Sequence, residues 1–281
     1  MYVLMKDGVK VADELVIDLS GEGDPTGLYP VAVSLVREGD AAKVAEVPAA
    51  QTIGVQKGTS AMAKTAISVP WGRLGGDGPV SVAELVKTAN LTVGDKLHIY
   101  NKSAKRYETW ELDANKMWQP LATYLINADG SVSTVSAGKP TDATVRRGSA
   151  VWLERQDPAK PYYLYGGYEA GEIETEVEVG SAAEPSWNLI AAPSIEPFDL
   201  NRIEGADARD QIMVTTEAGP VVYTFKGGAW GCDVNVTEKR KGPGGVEIEV
   251  VKRVRDTEHA TIPAGVGFWY VSQGGKPVIK W

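Results

Sequence analysis

The chain contains few of the residue combinations that carry out chemistry. Its two histidines, His98 and His259, would both be needed for a two-histidine metal site, yet they occupy unrelated positions in the sequence pattern. His98 alternates with Leu97 and Ile99, which predicts a solvent-facing side chain on a strand. No H-E-x-x-H, C-x-x-C or P-loop pattern occurs. We therefore expect neither a metal site nor a cofactor.

Nucleophiles and carboxylates give equally little. The G-x-S-x-G pattern is absent, and the single cysteine, Cys232, lacks the cationic neighbours that activate a thiolate and has no cysteine with which to form an intrachain disulfide. Asp95 and Asp210 begin matching strands, a repetition that favours a structural role in which each carboxylate accepts hydrogen bonds from turn amides. The sequence predicts no catalytic residue and favours a protein that is not an enzyme. A hydrolase stays as the second alternative.

Aromatic residues are the remaining candidates for contact with a ligand. The chain has 8 Trp and 11 Tyr but 3 Phe, and the first two types suit half-exposed surfaces, sugar platforms and interfaces. Five tryptophans recur at matching strand positions and are predicted to fill cores: Trp110, Trp118, Trp152, Trp230 and Trp269. The candidates for an exposed contact surface are Trp71, Tyr162, Tyr163, Tyr165 and Tyr168.

Composition restricts the class of protein. With 43% apolar and 23% charged residues, the 281-residue chain resembles an ordinary globular protein. A net charge of -8 disfavours nucleic acids and anionic membranes as partners. There is no apolar run long enough for a transmembrane segment, and the first twenty residues lack the features of a signal peptide. The chain is therefore either cytoplasmic or a mature form.

Short alternating segments separated by Gly and Pro predict an all-β protein, with clear strands over residues 96–100, 150–153, 221–225 and 246–254. They also match one another in two series. Residues 67–70 (ISVP) match 190–193 (IAAP), 79–86 (PVSVAELV) match 197–204 (PFDLNRIE), and 94–100 (GDKLHIY) match 209–215 (RDQIMVT). At the last offset, Thr109-Trp110 falls on Thr224-Phe225. Ser81 and Asp199 stand where helix N-caps belong, so each series is expected to carry one short helix.

The matches continue to the end of the chain. Residues 143–153 (ATVRRGSAVWL) match 260–270 (ATIPAGVGFWY), and 161–165 match 277–281. Hairpins are expected near Asp129 in one series and at residues 242–245 in the other. We predict a tandem duplication of a β-sandwich or barrel-like module, over residues 48–167 and 168–281, preceded by a small β segment over residues 1–47. That segment is expected to form a hairpin about residues 6–8 and strands near residues 15–19 and 28–36. It could belong to a neighbouring domain, donate a strand, or pair with the first module.

The pattern W-N-L-I-x-x-P over residues 187–193, with P-A-G-x-G-F-W over residues 263–269, resembles uncharacterised β-rich tandem repeats of bacterial secreted and envelope proteins. The resemblance is weaker in the first series, where Lys64 replaces Trp187. It implies an extracellular or cell-surface location and no mechanism. We expect a non-catalytic structural or adhesive protein whose partner is itself or a surface glycan or protein. The first alternative is a pair of carbohydrate-binding modules.

Overall fold

The chain folds mainly into antiparallel β-strands in a computed structural model. The structure describes residues 4–6, 9–12, 26–31, 34–36, 43–46, 51–58, 62–69, 71–72, 79–82, 91–101, 106–126, 129, 131–135, 144–168 and 173–281. The complete helical segments within these ranges are two 3-10 turns, at Leu200–Arg202 and Pro243–Gly245. The strand-rich class is therefore confirmed. In the same ranges, no helix has the length and apolar character needed to cross a membrane.

The N-terminal part forms hairpins and contributes to a three-stranded sheet. Its strands are β1 (Leu4–Lys6), β2 (Val9–Ala12), β3 (Gly27–Val31), β4 (Ser34–Val36), β5 (Lys43–Glu46) and β6 (Gln51–Gly58). Strands β1 and β2 form the predicted hairpin, in which Lys6 pairs with Val9. Strand β3 pairs with β6, so the leading segment adds a strand to the part of the chain that follows it. The strand predicted over residues 15–19 lies outside the described residues.

A five-stranded sheet follows, with the order β7-β15-β9-β10-β11. The strands of this part are β7 (Lys64–Ser68), β8 (Val80–Ser81), β9 (Lys96–Asn101), β10 (Arg106–Leu112), β11 (Trp118–Pro120), β12 (Thr123–Ile126), β13 (Val132–Val135), β14 (Thr144–Val145), β15 (Ala150–Glu154) and β16 (Tyr162–Tyr168). Strands β12 and β13 form the hairpin expected near Asp129. Strand β14 pairs with β8, and β16 pairs with β6.

The last part of the chain forms a six-stranded sheet, with the order β18-β25-β20-β21-β22-β23. Its strands are β17 (Glu174–Thr175), β18 (Ser186–Ala191), β19 (Phe198–Asp199), β20 (Gln211–Thr216), β21 (Gly219–Lys226), β22 (Ala229–Lys241), β23 (Glu247–Asp256), β24 (Thr261–Ile262), β25 (Gly267–Ser272) and β26 (Ile279–Lys280). Strand β19 pairs with β24, and β17 pairs with β26. The first five strands of this sheet occur in the same order as the five strands of the preceding sheet.

Each large sheet covers an apolar core with one face, because alternate residues of a strand point to opposite faces. Trp110 and Trp118 are buried in the first core and Trp230 in the second, which confirms the prediction for these three. The prediction is wrong for Trp152 and Trp269. Both are half-buried on the opposite, outer face of their sheets, because their neighbours in β15 and β25 are the residues that enter the cores.

The two large sheets contact each other through reciprocal hydrogen bonds. The Ser68 amide donates to the Gly265 carbonyl at 2.8 Å, and the Ala191 amide donates to the Gly148 carbonyl at 3.1 Å. Ser68 and Ala191 end the matching strands β7 and β18. Gly148 and Gly265 precede β15 and β25 with φ of 79° and 76°, a conformation that favours glycine. The contact is therefore two-fold in character.

Two local expectations change in detail. The sequence match places Trp110 opposite Phe225 in the alignment. In the structure, Trp110 pairs with Leu97, and Tyr223 pairs with Ile212, the residue that matches Leu97. Trp110 is therefore equivalent to Tyr223. The match failed because the β20–β21 connection is two residues shorter than the β9–β10 connection.

The predicted helices also differ from expectation. The helix expected after Asp199 is a single 3-10 turn, whose Asn201 amide donates to the Asp199 carboxylate at 2.9 Å. The turn ends early because Glu204 bridges to Val278. The helix expected after Ser81 begins at Val82, and its remainder lies outside the described residues.

Candidate functional site

Two of the residues expected on an exposed contact surface are buried, so that expectation is wrong for Trp71 and Tyr162. Trp71 is 3% exposed, and its indole nitrogen donates to the Leu164 carbonyl at 3.1 Å. Its ring occupies the space that a side chain at Gly54 or Gly166 would fill. The two glycines thus allow the indole to pack directly on β6 and β16. Trp71 is held inside the fold rather than presented to a partner.

The tyrosines of β16 separate between inside and outside. The ring of Tyr162 packs on Gly58, and burial raises the pKa of its hydroxyl. Tyr163 and Tyr168 are half-buried, and Tyr168 meets Trp71 edge-on at 6.2 Å. Tyr165 belongs to β16, and its side chain lies outside the description. Contact with a partner stays a prediction for Tyr163, Tyr165 and Tyr168.

A different aromatic surface lies on the outer face of the six-stranded sheet. Pairing of β18, β25, β20 and β21 aligns four apolar residues across neighbouring strands, which we call the apolar row: Leu189, Trp269, Met213 and Val222. Trp187 is 52% exposed and meets the ring of Trp269 edge-on, with 5.8 Å between centroids. Residues aligned in this way share one face of the sheet. The row and Trp187 therefore form a continuous apolar surface.

The corresponding positions of the five-stranded sheet are more polar. We call the equivalent residues the polar row, and they are Ala66, Trp152, His98 and Thr109. Beside it lies a charged row of alternating sign, formed by Lys64, Glu154, Lys96 and Glu111. The Lys96 ammonium lies 3.6 Å from Glu154 and 4.0 Å from Glu111. Charges on this face therefore satisfy one another.

His98 links the two rows of the first sheet. Its Nδ1 lies 2.9 Å from the Thr109 hydroxyl, and its Nε2 lies 3.1 Å from Oε2 of Glu154. Burial and the nearby Lys64 charge lower the pKa of His98, although Glu154 opposes them. Burial by itself would raise the pKa of Glu154, but the hydrogen bond from His98 and the charge of Lys96 outweigh it and lower that pKa. His98 thus lies on the outer face of its sheet, as expected, but it is half-buried and anchored there rather than free in solvent.

A hydroxyl, an imidazole and a carboxylate in series are the parts of a nucleophilic triad, but the surroundings differ from an acyl-transfer site. Thr109 is in the middle of β10, between β9 and β11, and its carbonyl accepts from the amide of Leu121 at 2.8 Å. Stabilising an oxyanion requires free amides that point at the reacting atom, whereas strand pairing occupies the amides along β10. The arrangement therefore fixes the side chains of the sheet face.

The remaining ionisable candidates have structural roles. His259 is exposed and lies 3.0 Å from Asp256, three residues earlier. Burial and the Asp256 charge raise the pKa of the Cys232 thiol, which agrees with a cysteine that is not activated. Within the described ranges, no group of three or more His, Cys, Asp or Glu could hold a metal ion.

Asp95 and Asp210 occupy matching buried positions and make matching hydrogen bonds. Asp95 accepts from the amides of Thr92 at 2.8 Å and Gln156 at 2.7 Å. Asp210 accepts from the amides of Asp207 at 3.0 Å and Gln273 at 2.7 Å. Tyr270 adds a hydroxyl donor to Asp210 at 2.7 Å. The predicted acceptance from turn amides is confirmed, and each carboxylate also joins its turn to the end of the neighbouring strand.

Strands β22 and β23 extend beyond the six-stranded sheet as a two-stranded arm. We define the arm as the paired segments 232–241 and 247–256, because β21 pairs with β22 only as far as Gly231. Three exposed apolar side chains lie on these segments, namely Val236, Ile248 and Val251.

The chain matches no protein-family model, no curated protein and no solved structure. A function is therefore inferred from the exposed faces of the sheets and from the arm.

Proposed function

We propose that the protein is a non-catalytic structural or adhesive component of the bacterial cell surface or extracellular space. The apolar row, with Trp187 exposed beside it, carries the proposal. A contiguous apolar patch on a soluble protein commonly marks an interaction site, and tryptophan is among the residue types that dominate interface energies. The resemblance of residues 187–193 and 263–269 to secreted and envelope repeats supports the location.

The contrast between the two outer faces supports a contact function for the second. Charges of the first face are paired within it, as Lys96 is with Glu154 and Glu111. In the places of Lys64, Glu154, Lys96 and Glu111, the second face carries uncharged residues, namely Trp187, Val271, Gln211 and Thr224. Burying the exposed part of Trp187 and of the apolar row against a partner stabilises a complex, by at most about 1.5–3 kcal/mol for each side chain. We propose a second copy of the chain as that partner, since the two large sheets already contact each other within one chain.

We also infer that the two sheets arose by tandem duplication of a sandwich-like or barrel-like module, with boundaries near residues 48, 168 and 281. Three observations support this inference. The five strands of the first sheet occur in the same order as the first five strands of the second. Asp95 and Asp210 bind equivalent amides. The contact through Gly148 and Gly265 is reciprocal, as expected when two copies of one module pair by a two-fold.

The assembly proposal is tested by replacing Trp187 with Lys, the residue at the matching position 64 of the first sheet. Light scattering after size-exclusion chromatography, over a range of concentrations, measures the association. We expect the substitution to raise the apparent dissociation constant by about tenfold or more, because the buried indole is lost. Met117→Lys is the control, since Met117 is also 52% exposed but lies in a turn of the first sheet. A strictly monomeric wild-type chain, or equal effects of the two variants, would refute the proposal.

Carbohydrate binding is the second candidate, and the outer face of the first sheet favours it. Tyr100 is exposed and meets Tyr107 of the neighbouring strand at a tilt, with 5.3 Å between ring centroids. It lies two residues after His98 in β9 and therefore on the same face of the sheet. Aromatic rings beside charged and hydroxyl groups suit a sugar ring. A glycan array probed with the wild-type chain and with Tyr100→Ala tests this candidate. A hit that the substitution removes would support it, and a blank array would exclude the glycans on the array.

A further inference from the structure

The outer edge of the arm is a long strand edge at the end of its sheet. Ten residue pairs join β22 to β23 between Cys232 and Asp256, so the arm extends for about 30 Å. In the described part of the chain, β23 pairs with β22 alone and is the last strand of its sheet. A two-stranded ribbon is marginally stable in water, and a long free edge is a template for another strand. Addition of a further strand would satisfy the backbone groups of that edge.

The charges of β23 divide between its two ends. Glu247 and Glu249 occupy the first half, whereas Lys252, Arg253 and Arg255 occupy the second, which ends at Asp256. Val251 lies at the centre and is 64% exposed. An antiparallel copy of the same strand therefore presents its basic half to the acidic half of the first. A parallel copy would place like charges side by side.

We propose that two copies of the chain associate by antiparallel pairing of their β23 strands about a two-fold axis at Val251. The partner of this surface is thus a second copy of the same chain. The contact uses the arm and not the apolar row, so it goes beyond the face-to-face assembly proposed above and does not require it.

The backbone fixes which residues can pair across the edge. The Gly242 amide donates to the Val246 carbonyl at 2.8 Å, so Val246 directs its backbone groups towards β22. Backbone direction alternates along a strand, so the odd-numbered residues from Glu247 onwards direct theirs to the free edge. An odd-numbered residue of one β23 must therefore pair with an odd-numbered residue of the other. In such a register the two-fold axis passes through a residue and not through a peptide bond between two residues.

Val251 is the axis position that matches the charges. It places Glu249 opposite Arg253 of the second copy, a guanidinium that also lies 3.0 Å from the Asp233 carboxylate of its own chain, and the two-fold repeats this pair. It also places Glu247 opposite Arg255, although that guanidinium already donates to the Thr224 hydroxyl at 2.9 Å. An axis at Val250 would put Glu249 opposite a valine. An axis at Lys252 would put two lysines together.

The same register also brings aliphatic side chains of the two arms together. Ile248 and Val250 alternate with the charged residues and share their face with Val234 and Val236 of β22. In the pair of arms, Ile248 lies opposite Val254 of the second copy. The same face also carries Glu238, Arg240 and Lys252, so the surface shared by the four strands is mixed in character. If the apolar row forms its own two-fold contact, the two interfaces together link chains into a linear array.

Cross-linking tests the axis directly. Cys232→Ser and Trp187→Lys are introduced first, so that the new cysteine is the only one and the apolar row is disabled. We expect Val251→Cys to give a disulfide-linked dimer under mild oxidation, because directly opposed residues of an antiparallel pair lie about 5.5 Å apart, within the range of a disulfide.

Val246→Cys is the matched control, since Val246 is also 64% exposed and lies at the arm's tip. In the proposed pair, residue 246 and its copy are about 33 Å apart. Cross-linking at 251 but not at 246 supports the proposal. Equal cross-linking at both positions, or none at 251, overturns it. Because Trp187 is replaced throughout, either result is independent of the apolar row.

A charge exchange tests the register. Glu249→Arg puts like charges together twice and is expected to weaken the dimer about tenfold. Adding Arg253→Glu restores opposite charges and should bring the dissociation constant back to within about threefold. Glu249 also faces Lys239 within the arm, so Lys239→Glu is the control that disturbs this internal pair without touching the edge. Sedimentation that shows no recovery in the double variant, or an equal loss in the control, overturns the register.

Discussion

Replacing Asp95 or Asp210 by Asn should destabilise the protein far more than the same change at Asp199. The Asp95 carboxylate is fully buried and accepts two amide hydrogen bonds, at 2.8 and 2.7 Å. Hydrogen bonds to a charged group contribute about 1.5–3 kcal/mol each. An asparagine keeps one oxygen acceptor but turns an NH₂ towards the other amide, which leaves that amide unsatisfied at a cost of about 1–3 kcal/mol.

The sum is a loss of about 2.5–6 kcal/mol for Asp95→Asn, against a typical total stability of about 5–15 kcal/mol. A similar loss is expected for Asp210→Asn, where one oxygen accepts from Asp207 and Tyr270 and the other from Gln273. Urea unfolding, followed by tryptophan fluorescence at pH 7, measures both variants. If the two sheets unfold in separate transitions, each variant should shift mainly its own transition.

Asp199 provides the control for these two variants. It is exposed and caps a 3-10 turn, where asparagine is as good an acceptor as aspartate. Asp199→Asn should therefore leave the unfolding midpoint unchanged. The reasoning is refuted if Asp95→Asn costs less than about 1 kcal/mol, because an amide would then replace the carboxylate without loss of the buried hydrogen bonds.

Three further outcomes are expected. Gly267→Ala should lower stability by about 1–3 kcal/mol, since its new Cβ would lie 2.7 Å from the Cβ of Ala150 across the contact between the sheets; an unchanged melting temperature would contradict that packing. Trp230→Ala should lower the free energy of unfolding, measured by urea titration, by about 3–5 kcal/mol, because it leaves a cavity in the second core. His98 has a lowered pKa in the folded chain, so the unfolded chain takes up its proton first and stability falls as the pH drops below about 6.5. His98→Met, which installs the residue at matching position 213, should flatten the change in melting temperature between pH 7.5 and 5.5, and an identical slope would contradict the assignment.

Alternation and turn residues were enough to predict much of the fold. Strands were expected over residues 96–100, 150–153, 221–225 and 246–254, and the structure has β9, β15, β21 and β23 there. Asp95 and Asp210 could be interpreted correctly because an aspartate after a turn binds local amides. The helix after Asp199 was overestimated, since the N-cap signal marks where a helix begins and not how soon pairing with another segment ends it.

The candidate surface was harder to predict, because side-chain exposure depends on which residues other strands bring nearby. Trp71 was chosen for exposure, yet Gly54 and Gly166, distant in sequence, create the space that buries it. Trp187 is part of the W-N-L-I-x-x-P pattern but is not among the residues predicted to lie on an exposed contact surface. Lys64 at the matching position of the other series is a signal that this position is exposed. The link between His98 and Glu154 joins residues 56 positions apart. No local pattern could have revealed it.

The two outer faces differ in how their side chains are satisfied, and this difference favours contact through the second half of the chain. On the first sheet, His98 and Lys96 already bind Glu154, so a partner would have to compete with existing pairs. On the second sheet, Trp187 has an aromatic neighbour but remains 52% exposed, and burial against a partner breaks no hydrogen bond of its own. The charged arm belongs to the same half. Substitutions in the charged row of the first sheet should therefore change stability more than association between copies.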